Sequence, residues 1–114
     1  MINQELKEQY KKLNQEKLNE QFIDACQNND LDIVQYLLTS AELTEHADIH
    51  AENDLGFRRA LICGYLEVIK YLIIDMNIEK TIHIEDYLNK NEDNKNVQQA
   101  IELFKIREFN QKMI

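Results

Sequence analysis

The sequence predicts an all-α protein, a short solenoid of helical hairpins closed by a capping helix at each end. Three observations lead there. Proline is absent and glycine occurs only at Gly56 and Gly64, fewer turn residues than sheet-rich folds usually carry. Apolar residues recur at helical spacing in both flanks and in the middle of the chain. The chain also matches itself at a shift of 35 residues, the mark of a stacked array.

The chain is long enough for one domain: 114 residues, 44% hydrophobic and 30% charged, ordinary values for a globular protein. Folding at this length buries roughly 65% of the surface an unfolded chain exposes, enough for one modest core.

Residues 1–19 form the first element. Ile2, Leu6, Tyr10 and Leu13 follow helical spacing among Lys, Glu and Gln, predicting an amphipathic N-terminal cap with its apolar side inward. The first repeat, 20–54, begins with Phe22, Ala25 and Cys26 at helical spacing. Asn28-Asn29-Asp30 then interrupts the pattern. Asn tolerates the left-handed conformation that ends many helices, and Asp30 is suited to cap the next one. Leu31, Val34, Leu37 and Leu38 make the second apolar stripe. Helices are predicted over 21–28 and 31–39. Thr39 with Glu42 predicts an extra short helical turn in the link that follows, as a capping box.

The second repeat, 55–86, restates the first. Phe22 falls on Phe57, Ala25 on Ala60, Leu31 on Leu66, Tyr36 on Tyr71 and Leu37 on Leu72. Gly64 replaces Asn29, which suits a left-handed position. Helices are predicted over 55–63 and 66–74, with Ala25 and Ala60 where paired helices approach closely. Ile82-His83-Ile84-Glu85 echoes Ile49-His50-Ala51-Glu52 and predicts a partial third finger. Residues 87–114 form the C-terminal cap. Val97, Ala100, Ile101, Phe104 and Met113 lie along a helix from about Asn96. Phe109, Met113 and Ile114 make its end apolar, suited to packing on the array or to binding a partner.

These residues resemble the ankyrin repeat. Ala47-Asp48-Ile49-His50-Ala51 is similar to that family's hairpin finger, commonly Ala-Asp-Val-Asn-Ala. Gly64-Tyr65-Leu66-Glu67-Val68-Ile69-Lys70-Tyr71-Leu72 is similar to its second-helix signature, Gly-His-Leu-Glu-Val-Val-Lys-x-Leu. Asp30 to Leu38 gives a weaker copy, and the resemblance covers roughly residues 20–86. The family's Thr-Pro-Leu-His is replaced by Leu55-Gly56-Phe57-Arg58, close to a Leu-Arg variant of some viral and bacterial arrays. The hydroxyl and imidazole that brace neighbouring loops are therefore missing from that place. The Thr39–Ala47 link is also longer than the family norm.

The resemblance implies an ankyrin-type solenoid of about two good repeats between capping helices. It implies a non-catalytic module that binds a partner protein on its concave face. By position the finger contributes Asp48, His50, Glu52, Asn53 and Asp54, and the inner helices Asp24, Gln27, Arg59 and Ile62.

Charge narrows the partner. The formal net charge is −8, which argues against nucleic acid, whose binding relies on Lys and Arg. No Lys or Arg lies between Lys17 and Arg58, a stretch that includes Glu20, Asp24, Asp48, Glu52 and Asp54. Such a face keeps a protein soluble or attracts a basic partner, as an inhibitor or immunity-type protein would. The alternative reading is a homo-oligomer joined through the terminal helices.

No cofactor, metal or catalytic residue is expected. Two isolated glycines cannot build a phosphate-cradling loop. His46 and His50 fall in a link and a finger rather than on one helix face. Cys26 and Cys63 read as small hydrophobes rather than a disulfide framework, consistent with a cytoplasmic chain. No apolar run is long enough to span a membrane.

Overall fold

The computed structural model describes residues 2–112; Met113 and Ile114 of the expected apolar tail lie outside the described residues. These residues form seven α-helices and no strand. The helices are α1 (Gln4–Lys11), α2 (Gln15–Gln27), α3 (Leu31–Thr39), α4 (Ala51–Cys63), α5 (Leu66–Lys70), α6 (Ile82–Lys90) and α7 (Lys95–Lys112). A π-helical segment, Tyr71–Asp75, continues α5.

The single N-terminal helix expected from the apolar spacing is divided in two. Lys12-Leu13-Asn14 ends α1, and the Asn14 side chain accepts the Lys17 N–H at 2.9 Å, starting α2 six residues ahead of the expected Gln21. A good cap at a short polar break overrode the apolar spacing. Tyr10 anchors α1, buried 6.1 Å from Tyr36, with the Lys7 ammonium 5.6 Å from the Tyr36 ring.

Antiparallel pairing of α2 with α3 and of α4 with α5 follows from two matching corners. Asn29 and Gly64 both adopt positive φ, 58° and 73°. At each corner the next N–H reaches back five residues, Asp30 to the Ala25 carbonyl at 2.9 Å and Tyr65 to the Ala60 carbonyl at 3.1 Å. That is the closing bond of a left-handed helix C-cap. Asp30 then caps α3 by accepting from Ile33 N–H at 3.4 Å.

Exits from the hairpins match as well, since Leu37 and Leu72 carbonyls accept from Ala47 and Ile78 N–H, both at 3.0 Å. The first exit is four residues longer. The helical turn expected there from Thr39 and Glu42 does not form. Thr39 Oγ1 instead donates to the Gln35 carbonyl at 2.7 Å, and Ser40 Oγ accepts from Glu42 N–H at 3.1 Å in a plain turn.

Side chains of both hairpins and of α7 share one core. Phe22, Phe57 and Phe104 are fully buried among Leu18, Leu37, Leu61, Ile69, Leu72 and Ile73. Gly56 is needed where α4 crosses α2, because a Cβ there would stand 2.8 Å from the Phe22 ring. At the other end the residues expected as a partial finger, Ile82–Glu85, are the first turn of α6. Thr81 Oγ1 accepts from Ile84 N–H at 3.3 Å and starts that helix. Arg107 of α7 donates to the carbonyls of Ile78 (2.6 Å) and Ile73 (3.4 Å), tying α7 to the π-helical segment and the residues after it. Burial holds its guanidinium below the usual arginine range.

Candidate functional site

The finger between the two hairpins is a left-handed turn. Glu52, Asn53 and Asp54 have φ of 55°, 57° and 65°, so the right-handed part of α4 begins at Leu55, where the sequence predicted it. Such backbone costs about 1–2 kcal/mol per ordinary residue, less for Asn and Asp. Bonds from several directions offset it. Arg58 donates through Nε to the Asn53 carbonyl at 3.1 Å and through Nη2 to the Glu52 carbonyl at 3.3 Å. Asn19 of α2 accepts the Asp48 N–H at 2.7 Å, and Asp48 Oδ1 accepts the His50 N–H at 2.9 Å.

Asp54 is the knot of this arrangement. It is 1% exposed. His50 Nδ1 bonds to Oδ1 and the Thr81 hydroxyl donates to Oδ2 at 2.6 Å. His50 and Thr81 thus join finger, α4 and α6 at one carboxylate. Asp54 and His50 belong to this brace. The Asp54 carboxylate is buried in it, and the His50 ring is half-buried.

Other expected residues fall into two groups. Asp48, Glu52 and Asn53 are exposed on the finger. Asp24 and Gln27 of α2 and Ile62 of α4 are exposed, and Arg59 is half-buried. Arg59 Nη1 donates to Gln27 Oε1 at 2.5 Å, binding the neighbouring helices across this face. Sequence reasoning missed Asn19, Arg58 and Thr81 as the residues that fix the finger. The only signal for them was position: Asn19 and Asp54 correspond at the 35-residue shift, and both are tethers.

The remaining chemistry is dispersed. Among the described residues no group of three or more His, Cys, Asp or Glu is placed to hold a metal ion. His46 Nε2 bonds to the Ser40 carbonyl at 2.7 Å, away from His50. Burial pushes the Cys26 thiol up to about 12, whereas Cys63 is exposed. No helix among the described residues is long and apolar enough to cross a membrane. Comparisons with protein-family models, with curated proteins and with solved structures find no match to this chain.

Proposed function

We propose that the chain is an ankyrin-type array that binds a protein partner through its finger and inner-helix face. One observation carries this reading. The turn over Glu52–Asp54 is held in a costly backbone conformation by Arg58, His50 and Thr81, while the Glu52 and Asn53 side chains remain exposed. Backbone strain kept at an exposed turn by surrounding bonds is characteristic of recognition sites. A rigid finger also loses little entropy on docking.

Asp24, Asp48 and Glu52 give the exposed part of the face a negative character, which fits a basic target and an inhibitory or protective role. Affinity purification from the native cell supplies the partner. Stopped-flow association across salt concentrations then tests the face with Asp24→Asn, Asp48→Asn and Glu52→Gln combined. Slower association with a flatter salt dependence is expected, since such charges act mainly on the on-rate. Unchanged rates would sink the reading.

A second reading has its own support. Ile106 and Phe109 of α7 are 50% and 62% exposed, and Leu66 with Leu103 lines an apolar groove of about 440 Å3 between α5 and α7. This favours self-association through the C-terminal helix. Sedimentation velocity of the wild type and of Phe109→Ser separates the two, because only a self-interface at Phe109 makes that variant lighter.

A further inference from the structure

A small pocket lies where α1, α2 and α3 meet, and it shares Asp24 with the proposed docking face. Gln21, Asp24 and Asn28 form one stripe of α2 and its C-cap. With Asp30 at the corner, Ile33 of α3 and Tyr10 of α1 they line a space of about 90 Å3. Tyr10 is 4% exposed, and among the described residues its hydroxyl makes no hydrogen bond. Buried phenols usually find a partner. Burial and then the Asp30 carboxylate hold this phenol above its ordinary range. The hydroxyl end therefore lies on the Asp30 side, not toward the hollow that Tyr10 shares with Lys11 and Glu45. Asp30 uses Oδ1 on the Ile33 N–H at 3.4 Å, and Asp24 has no ion pair among the described residues. No Lys or Arg lines the pocket. Of the cations around it, Lys7 lies over the Tyr36 ring, Lys11 pairs with Glu8 and Glu42, and Lys17 pairs with Glu20. Arg59 is bonded to Gln27, and Lys12 is exposed at the end of α1. What the pocket lacks is a donor.

We infer that this pocket receives a lysine side chain of the protein partner, whose ammonium donates to the Asp24 and Asp30 carboxylates and to the Tyr10 hydroxyl. The inference rests on the docking reading above for the existence of that partner, and it names the group that the negative face selects. An ammonium carries three donors and no acceptor. That matches Asp24, the second oxygen of Asp30 and the Tyr10 hydroxyl. It is also a compact point charge on an alkyl stem, and Ile33 with the Tyr10 ring gives the stem an apolar wall. One water takes up roughly 30 Å3 of liquid, so the pocket admits an ammonium and the end of its stem, whereas a planar guanidinium needs more room. A metal ion is a poorer match, since among the described residues no group of three or more His, Cys, Asp or Glu is placed to hold one.

The test titrates Nα-acetyl-lysine methylamide into the isotope-labelled full chain at about 0.1 M salt and follows the backbone amide shifts. Separate arms use its Nε-acetylated form, the arginine analogue, n-butylamine and calcium chloride. Expected are shifts centred on Gln21, Asp24, Asn28 and Asp30 with the lysine analogue, weaker with the arginine one and absent with the acetylated one. Asp24→Asn should weaken binding about two- to fivefold, and Tyr10→Phe by a similar factor. Tyr10→Phe keeps the buried ring and removes a hydroxyl without a partner in the fold, so its denaturant midpoint should not fall. A fall would assign the hydroxyl to the fold and overturn its role in binding. No shifts with the lysine analogue, equal shifts with the acetylated form, or no response to either substitution would overturn the proposal. The same shifts from calcium would replace the ammonium by a metal ion, and tighter binding of n-butylamine would replace the partner's lysine by a free amine. None of these arms contains the partner, so the pocket and the association test of the finger fail separately.

Discussion

The first hairpin, α2–α3, and the second, α4–α5, share their corners and differ at their edges. Both corners use a left-handed residue and the same five-residue return bond, and both exits hang from the equivalent leucine carbonyl. Their entries have little in common. The Asn14 side chain caps α2, whereas α4 follows a left-handed turn with no side-chain cap at His50. Interiors of the hairpins thus follow local chemistry that the sequence repeats. Junctions between them rely on residues used once, namely Arg58, Thr81 and Arg107.

The largest effects should come from what the hairpins share. Leu37 and Leu72 are fully buried at equivalent places. Leu37→Ala and Leu72→Ala should each cost about 2–5 kcal/mol by lost burial and a residual cavity. Denaturant melts should give two values close to each other. A cost at only one position breaks the equivalence of the hairpins.

Junctions should separate them. Asn19 and Asp54 are equivalent in the repeat, yet Asn19 tethers one exposed N–H while buried Asp54 receives bonds from His50 and Thr81. Asp54→Ala leaves those two partners unmatched and should cost about 2–4 kcal/mol, against about 1 kcal/mol for Asn19→Ala. Equal costs in chemical denaturation would mean that Asp54 is not the knot described above.

Legibility follows the same division. The helix over 31–39, the left-handed Asn29 and Gly64, the Asp30 cap and the start of regular helix at Leu55 were all readable, because each depends on residues within a few positions. The break at Asn14 was missed because four apolar residues at helical spacing outweighed one cap. Ile82–Glu85 resembled a finger by its letters, but the Thr81 cap and the spacing of Ile84 and Leu88 make it a helix. Of the candidate surface, Asp48, Glu52, Asn53, Asp24, Gln27 and Ile62 are exposed. The brace at Asp54 was not legible, since Thr81 lies 27 residues away and nothing local marks the pair.

Alkaline pH should sharpen the comparison further. Cys26, in the first hairpin, corresponds to Leu61 in the second, and burial raises its thiol to about 12. Above the ordinary thiol range the unfolded chain loses a proton that the folded chain keeps. Stability is therefore full below about pH 9 and falls as pH rises, by about 1.4 kcal/mol per pH unit while only the unfolded thiol ionises. Tyr10 and Tyr71, also raised by burial, add to the fall at higher pH. Melts of Cys26→Ala between pH 8 and about pH 10 should show a shallower fall than the wild type. In native protein a thiol reagent should modify Cys63 quickly and Cys26 only on unfolding. Equal rates would contradict the burial of Cys26.

The corners differ too, and Asn29 carries the smallest effect. Gly64→Ala should destabilise by about 1–2 kcal/mol, because φ of 73° disfavours a Cβ. That Cβ would also stand 2.9 Å from the Asn96 side chain of α7. Asn29 already bears a side chain at φ 58°, and its short amide lessens the penalty there. Asn29→Gly removes what strain remains but gives the unfolded chain more freedom to lose, two effects of opposite sign. Their sum should fall within about 0.5 kcal/mol of zero. Paired melts of Asn29→Gly and Gly64→Asn check this. A near-neutral first substitution beside a costly second would show that α7, packed over the second corner alone, separates two turns whose backbones are otherwise the same. Equal effects would remove α7 from the account and leave backbone conformation as the whole cause.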